Sequence, residues 1–491
     1  MTIAAHTLGC KLNFAETSDL LRRLAAEGHT IVPWGQRANL YIVNTCTVTA
    51  VAEKKCRNAI RQAHRLNPDA QIVVMGCFAQ VAAKEIESIP GVTLVLGNDR
   101  KHLLPQILPA CGGNLRNLEN RFSKISQDFD GSDKSWKLKE NLQDFQDFAQ
   151  RETFPLRYSG EDRTRTFFKI QDGCDYFCTY CAIPFARGRS RSATIDETLC
   201  AARHIADTGA KEVILTGVNT GTFGQQNRQH PVGTNEPFLD LLRGLDQIEG
   251  ILRYRISSIE PNLLTDDIID FVAHSRAFLP HFHIPLQAGS DHVLQLMHRR
   301  YDTALYASKL EKIKEVMPDA CIAADVMAGF NGENEEEFSK VLSFIDSLPI
   351  SYLHVFTYSD RPGTAALKLG EKIPIPVRHE HTARLLKLSE KKHKEFIASQ
   401  LGKTRPVLWE SSLHHQQQSN CSPLPGSEGE MAYDRSGAKL GELAGAKRLT
   451  EECVTMQGWT DNYIRLSRPY DPSLVNSVTE EEIRLENIVR E

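Results

Sequence analysis

The sequence predicts an α/β protein in three parts: an N-terminal α/β domain on a parallel sheet, a central partial (β/α)6 barrel, and a small C-terminal antiparallel β-barrel. Three observations predict it. Over residues 1–110, short apolar runs alternate with helical patterns, the βαβα rhythm of a parallel sheet with right-handed crossovers. Over 164–396 a strand-and-helix alternation recurs through six units, which is the spacing of an incomplete barrel. Over 400–491 short strand patterns are separated by Gly, Ser and Pro.

In the first part, Ile3–Leu8, Leu40–Asn44, Gln71–Met75 and Thr93–Leu96 read as buried strands. Ala15–Glu27, Val51–Asn67 and Val81–Ser88 read as the helices between them. Cys10 follows the first strand in Leu-Gly-Cys-Lys-Leu-Asn, Cys46 the second in Val-Asn-Thr-Cys-Thr-Val, and Cys77 the third in Val-Met-Gly-Cys-Phe. Residues just past the carboxyl ends of parallel strands share one sheet edge, where open α/β folds place ligands. Three thiols there can meet at one crevice. Burial as small apolar residues is the alternative, but three equivalent positions, two preceded by glycine, favour a shared centre. Cys56, inside the second helix, reads as packing, and Cys111 has no assigned role.

Residues 111–163 read as a linker or insertion, polar and mixed in charge, with scattered aromatics and one amphipathic helix over Trp136–Gln150.

In the central part the strand patterns are Thr166–Gln171, Glu212–Thr216, Arg253–Ser258, His281–Leu286, Ile322–Ala328 and Tyr352–Thr357. Helical patterns at Ile195–Thr208, Phe238–Ile248, Leu264–Ala273, Leu305–Val316 and Glu335–Ser347 separate them, and Glu371–Lys394 is a charged exit helix. Such a barrel carries its active site at the carboxyl ends of its strands. Directly after the first strand stand Cys174, Cys178 and Cys181, a C-x3-C-x2-C array. Three thiolates this close can converge on one metal centre. A structural zinc would need a fourth protein ligand, whereas an iron–sulfur cubane can leave one iron to a small molecule. Arg187, Arg189 and Arg191 follow on alternate residues. They suit a carboxylate or RNA phosphates, with a solvated basic loop as the alternative. In the last part the strand patterns are Thr404–Glu410, Gly429–Tyr433, Asp461–Leu466 and Ile483–Ile488.

Composition is that of a globular protein, 41% hydrophobic and 24% charged over 491 residues. No apolar run approaches the roughly 20 residues of a membrane span, and the N-terminus lacks a signal-peptide pattern, so a cytoplasmic location is expected. A net charge of −4 argues against a globally basic nucleic-acid binder but allows a local basic face. Twelve cysteines in a reducing compartment favour metal or redox chemistry over disulfides.

The cysteine array on the first loop of a β/α barrel resembles the radical S-adenosylmethionine superfamily. That resemblance implies a 4Fe–4S cluster on Cys174, Cys178 and Cys181. Its open iron would bind S-adenosylmethionine, whose one-electron cleavage gives a 5′-deoxyadenosyl radical. Tyr176, Phe177, Tyr180 and Phe185 would then keep water away. Thr216-Gly217-Val218 occupies the place of the superfamily's loop for the methionine amine. Tyr180, Arg191, Ser258, Glu260 and Gln287 are further expected cosubstrate contacts, and Gly329–Glu333 resembles the later glycine motif near adenine. Gly458-Trp459-Thr460-Asp461-Asn462-Tyr463 resembles the signature of the TRAM domain, an RNA-binding appendage. Trp459, Tyr463 and Arg465 are then RNA-binding candidates, with Arg187 and Arg189 on the barrel.

The three parts in this order resemble the methylthiotransferase family across almost the whole chain. The resemblance implies a second 4Fe–4S cluster on Cys10, Cys46 and Cys77, whose open iron carries the sulfur to be methylated. Leu-Gly-Cys-Lys-Leu-Asn-Phe-Ala-Glu-Thr at 8–17 is similar to the form found in enzymes that act on N6-threonylcarbamoyladenosine. Branches acting on isopentenyladenosine or on a ribosomal-protein aspartate usually carry Cys-Gln-Met-Asn or Cys-Pro-Lys-Asn. The expected product is the 2-methylthio derivative of the adenosine on the 3′ side of the anticodon. Expected partners are a tRNA anticodon loop and a reductant such as a flavodoxin or ferredoxin, with no membrane and a monomeric chain. Those two other branches are the rival enzymes, and a non-catalytic RNA-binding iron–sulfur sensor is the rival from another class.

Overall fold

In the computed structural model, which describes residues 1–115, 154–160, 164–225, 236–410 and 455–489, the first five strands form one parallel sheet. They are β1 (Thr2–Thr7), β2 (Thr30–Ile31), β3 (Leu40–Thr45), β4 (Gln71–Gly76) and β5 (Val92–Leu96), in the order β2-β1-β3-β4-β5. Helices α1 (Lys11–Ala26), α2 (Ala50–Leu66), α3 (Cys77–Val81), α4 (Ala83–Glu87) and α5 (Leu104–Ala110) cover it. Strand alternation divides the core. Tyr41, Val43, Ile72 and Val74 pack with Ile60 and Ala63 of α2, while Leu40, Ile42, Val73 and Met75 pack with Leu20 and Leu24 of α1. The exposed edge strand β2 was not expected, and α1 begins four residues before the helix read from the sequence. The expected helix Val81–Ser88 is two short helices, the first starting on Cys77.

The second sheet starts before the expected boundary. β6 (Arg157–Tyr158) runs antiparallel to β7 (Arg165–Lys169), and a small ribbon pairs β8 (Gln171–Asp172) with β9 (Arg191–Ser192). From β7 the parallel order continues through β10 (Glu212–Thr216) and β11 (Arg253–Ile256). Single bridges at Tyr254–Phe278 and Ser258–His283 carry it to β12 (His281–His283), then β13 (Cys321–Ala328) and β14 (Tyr352–Thr357). The result is the expected open arc of six strands. Phe168, Val213, Leu215, Tyr254, Phe282, Ile322 and Val326 face outward into one apolar core beneath the surrounding helices. The alternate residues, among them Glu212, Arg255, His283, Asp325 and His354, give a polar inner face. Helix α1 also packs on β6 and β7, with Phe14 edge-on to Phe167 at 5.6 Å.

Helix Ile375–Gln400 leads to an antiparallel sheet of β15 (Thr404–Glu410), β16 (Thr455–Thr460), β17 (Arg465–Pro469) and β18 (Val478–Glu482), in the order β17-β16-β15-β18. Strand β16 was not expected. The expected strand Asp461–Leu466 is a turn that enters β17, with Tyr463 at φ +70°, and Ile483 lies just past β18. The expected strand Gly429–Tyr433 and helix Trp136–Gln150 lie outside the described residues. Among the described residues no helix is long and apolar enough to cross a membrane.

Candidate active site

Cys174, Cys178 and Cys181 lie on the loop that leaves β8. The loop turns at Gly173, φ +70°, where a Cβ would collide with the backbone carbonyl of Arg189. Tyr176 and Ile183 donate backbone N–H groups to the sulfurs of Cys174 and Cys181, each at 3.4 Å. Burial pushes the Cys174 thiol up to about 12 and raises Cys178 and Cys181 as well. Thiols held protonated in this way are ligands that lose their protons to a metal. Sulfurs on one tetrahedral zinc would stand about 3.8 Å apart. Among the described residues, the set of ligand atoms gathered within 4.8 Å is instead His283, Asp325 and His354. Both cysteine triads are more open, as suits ligands to separate irons of a cubane.

Around this centre the strand ends converge. Arg299, absent from the residues expected at the site, is nearly buried. It donates to Cys178 Sγ at 3.1 Å and to the Tyr180 hydroxyl at 3.3 Å, and it pairs with Glu260. Gln171, also unexpected, ties two loops together. Its amide nitrogen donates to the Gly173 carbonyl at 2.8 Å, and its oxygen accepts the N–H groups of Val218 and Asn219 at 2.8 and 3.0 Å. That clamp fixes Thr216 and Gly217 beside the cysteine loop. Among the described residues, Thr216 Oγ1 and Asn219 Nδ2 are buried and have no hydrogen-bond partner, the condition of groups that await a polar ligand. Ser258 follows β11 and bridges to His283. Gln287 sits at φ +63°, held by its N–H on the Asp325 carbonyl at 2.7 Å. Tyr180 meets Phe330 edge-on at 6.1 Å, which brings the Gly329–Glu333 segment to the same mouth.

The second triad forms at the carboxyl edge of the N-terminal sheet. Cys10 caps α1, Cys46 follows β3 and Cys77 begins α3. A Cβ on Gly9 would lie 2.7 Å from Cys46 Sγ, so glycine is what allows the Cys10 loop to approach Cys46. Burial raises the Cys10 and Cys46 thiols, and the neighbouring Cys77 sulfur raises both further. Cys56 packs behind them, accepting the Cys46 N–H at 3.3 Å.

The elements that carry the two triads pack together. Helix α3 packs on helix Ile183–Arg187, which starts two residues after Cys181. Asn98 Nδ2 donates to both Cys77 Sγ at 3.3 Å and the Ala186 carbonyl at 2.8 Å. A buried ionic cluster fixes the interface. Glu16 of α1 pairs with Lys101 and with Lys169 at 2.7 Å. Asp172 pairs with Lys169 at 2.7 Å, Arg187 at 2.8 Å and Arg191 at 3.0 Å. Burial works to raise the Glu16 carboxyl, but Lys101, Lys169 and Arg187 outweigh it and hold the group below its usual range. Asp172 is held low in the same way by Lys169, Arg187 and Arg191.

That cluster corrects two expectations. Arg187 is 1% exposed and bonds Asn13 Oδ1 at 2.6 Å, so it is not on a surface that RNA could reach. Arg191 is turned to Asp172 and the Arg187 carbonyl, not to a cosubstrate. Arg189 remains exposed, over the exposed ring of Phe177. Phe177 and Phe185 keep 40% and 41% of their surface exposed, whereas Tyr176 is buried. Trp459 and Tyr463 also depart from expectation. Tyr463 stacks on buried His281 at 4.4 Å and meets Trp459 at 4.5 Å. Arg165 lies over Trp459, and Arg253 and Arg255 donate to the carbonyls of Trp459, Thr460 and Asp461. These aromatics dock the C-terminal sheet on the amino ends of the barrel strands. Arg465 lies against Trp459 at 5.4 Å.

Residues 2–97 match the family described as "Uncharacterized protein family UPF0004", and residues 168–345 match the "Radical SAM superfamily". The chain is 37% identical over 423 residues to the threonylcarbamoyladenosine tRNA methylthiotransferase MtaB of Bacillus subtilis, covering 85% of this chain and 87% of that protein. The Aquifex aeolicus protein of the same name is 35% identical, over 83% of this chain and 92% of its own length. A tRNA-2-methylthio-N(6)-dimethylallyladenosine synthase of Nitratidesulfovibrio vulgaris is 32% identical, with 87% and 88% covered. Among solved structures, the radical S-adenosylmethionine methyltransferase TsrM of Kitasatospora setae superposes with a TM-score of 0.50 at 15% identity, covering 72% of each chain. That likeness concerns the fold.

Proposed function

This chain belongs to the radical S-adenosylmethionine methylthiotransferase family, and from that premise we infer its reaction: conversion of N6-threonylcarbamoyladenosine in tRNA to the 2-methylthio derivative. The observation that carries the reading is the packing of the elements that bear the two cysteine triads, with Asn98 bonded to the second triad and to the helix behind the first. When bound, two 4Fe–4S clusters and S-adenosylmethionine supply a hydrogen-abstracting radical at one centre and a methylated sulfur at the other. We propose that Cys174, Cys178 and Cys181 hold the first cluster and Cys10, Cys46 and Cys77 the second. Thr216, Gly217, Ser258, Glu260 and Gln287, at the strand ends, would line the cosubstrate. Tyr176 and Tyr180 exclude water, and the Glu16 cluster sets the separation of the two centres.

The substrate base lies beside the anticodon in a single-stranded loop, where it can be splayed into a pocket. Arg189 offers the exposed guanidinium for its phosphates. A small redox protein such as a flavodoxin or ferredoxin would supply electrons to a monomeric, cytoplasmic chain.

The test is mass spectrometry of tRNA nucleosides from cells with and without this protein. Specific loss of 2-methylthio-N6-threonylcarbamoyladenosine is expected. Relatives named for dimethylallyladenosine favour a second reading, and loss of that nucleoside instead would select it. An unchanged nucleoside profile overturns both. Reconstituted protein should carry about eight irons, falling to about four when Cys174, Cys178 and Cys181 are replaced by Ala. No release of 5′-deoxyadenosine on reduction would leave only a non-catalytic role.

A further inference from the structure

The barrel lumen holds a polar group that neither cysteine centre uses. His283 on β12, Asp325 on β13 and His354 on β14 bring their nitrogen and oxygen atoms within 4.8 Å of one another. His283 Nε2 lies 2.7 Å from Asp325 Oδ1, and the two imidazoles are 5.2 Å apart. Asp325 and His354 are direct partners in the β13–β14 register, so both point to the inner face. The His283 and Asp325 side chains each keep 18% of their surface exposed, which leaves the group open to the lumen. Burial lowers His354 to about 4, so its ring is neutral at pH 7.

The cation beside this group is Lys11, the residue after Cys10 and the first of α1. Its charge acts on Asp325, His354 and the buried His281. Among the described residues its ammonium has no ion pair or hydrogen bond. The helix dipole opposes a cation at that position, so the stability of α1 does not account for it.

We propose that Lys11 binds the free carboxylate of the threonylcarbamoyl group, while His283, Asp325 and His354 meet its hydroxyl and carbamoyl groups. This deepens the threonylcarbamoyladenosine reading and rests on it. In adenine a single ring atom, N1, separates the reacting carbon C2 from the carbon that bears N6. The N6 substituent must therefore lie beside the sulfur-bearing centre, and Lys11 adjoins a ligand of that centre. A dimethylallyl group carries no charge and no donor, so it would leave Lys11 unsatisfied. Sites built on hydrogen bonds reject analogues that lack the partner on this ground. Two histidines and a carboxylate could also take a divalent cation, but the Lys11 charge opposes one.

The test uses the full chain carrying both clusters and two anticodon stem–loops. One bears threonylcarbamoyladenosine, the other its threoninamide, in which the carboxylate is neutral. The wild-type chain should prefer the acid by about 10- to 100-fold in kcat/KM. Lys11→Met should lose that preference through KM, and Lys11→Arg, which keeps the charge, should retain it. Iron content reports whether each variant is intact. An unchanged preference in Lys11→Met overturns the proposal. So does one equivalent of bound zinc or manganese that disappears in His354→Ala. If the wild-type chain modifies isopentenyladenosine RNA and neither threonyl substrate, the functional reading itself has failed, and the wild-type chain alone reveals that.

Discussion

Arg299 ties the Cys174–Cys181 loop to the barrel. Its guanidinium bonds Cys178 Sγ and neutralises Glu260 where both are largely withdrawn from water. A hydrogen bond to a ligating sulfur stabilises the more negative, reduced cluster. Arg299→Met should therefore shift the cluster's midpoint potential to more negative values. It should also lower 5′-deoxyadenosine formation about 10- to 100-fold, with iron content near wild type. Redox titration followed by electron paramagnetic resonance reads the first effect, and an unshifted potential would remove the role. The six cysteines were legible in the sequence because spacing and position after strands report them directly. Arg299 was not legible, since it stands 121 residues from Cys178 and nothing local marks that contact. Arg187 misled for the opposite reason: alternate arginines read as partners for a carboxylate or RNA phosphates, and only the acids Glu16 and Asp172 reveal it as buried.

At the scale of elements, α1 serves both domains. One face packs in the N-terminal core, and Glu16 reaches the Lys169 and Arg187 cations of the barrel. Removing one member of a buried ion cluster strands the others, so Glu16→Gln should destabilise the docked N-terminal domain by about 3–5 kcal/mol. Urea unfolding of the apo-protein measures it. Methylthio transfer should fail while uncoupled cleavage of S-adenosylmethionine persists, because the two centres lose their fixed separation. The Glu16 and Asp172 carboxyls titrate lower in the folded than in the unfolded state. Their stabilisation is therefore present above the usual carboxylate range and disappears as pH falls through the depressed folded values. Docking should not weaken between pH 8 and pH 5 on their account. A loss across that interval, followed by tryptophan fluorescence of the apo-protein, would contradict the assignment. Elements with strong apolar periodicity, such as β3, β4 and β13, were legible. Strand β6 was not, because two residues carry no period and pair only once β7 exists.

At the scale of the whole molecule, the N-terminal domain packs at the carboxyl ends of the barrel strands, and the C-terminal sheet is locked to their amino ends. The sequence motif at 458–463 resembles an RNA-binding signature, yet its side chains are spent inside the protein: Tyr463 on His281 and Asn462 on the Asp319 carbonyl at 3.0 Å, both of the barrel, and Asp461 on Arg405 within the sheet at 2.6 Å. Pattern matching finds such a motif without revealing which side of it is covered. The two roles separate by experiment. Tyr463→Ala removes a ring packed between two domains and should destabilise the C-terminal sheet by about 3 kcal/mol, seen as a separate early melting step. Any weakening of tRNA binding should follow that melting. Arg189→Ala removes an exposed charge and should leave melting unchanged. It should weaken RNA binding uniformly across sequences and reduce the salt slope by about one. The reverse outcome, with Tyr463→Ala sparing stability but abolishing RNA binding at temperatures where the sheet is intact, would put the RNA on the aromatic face. The sheet would then have to undock from Arg253 and Arg255 before substrate could engage.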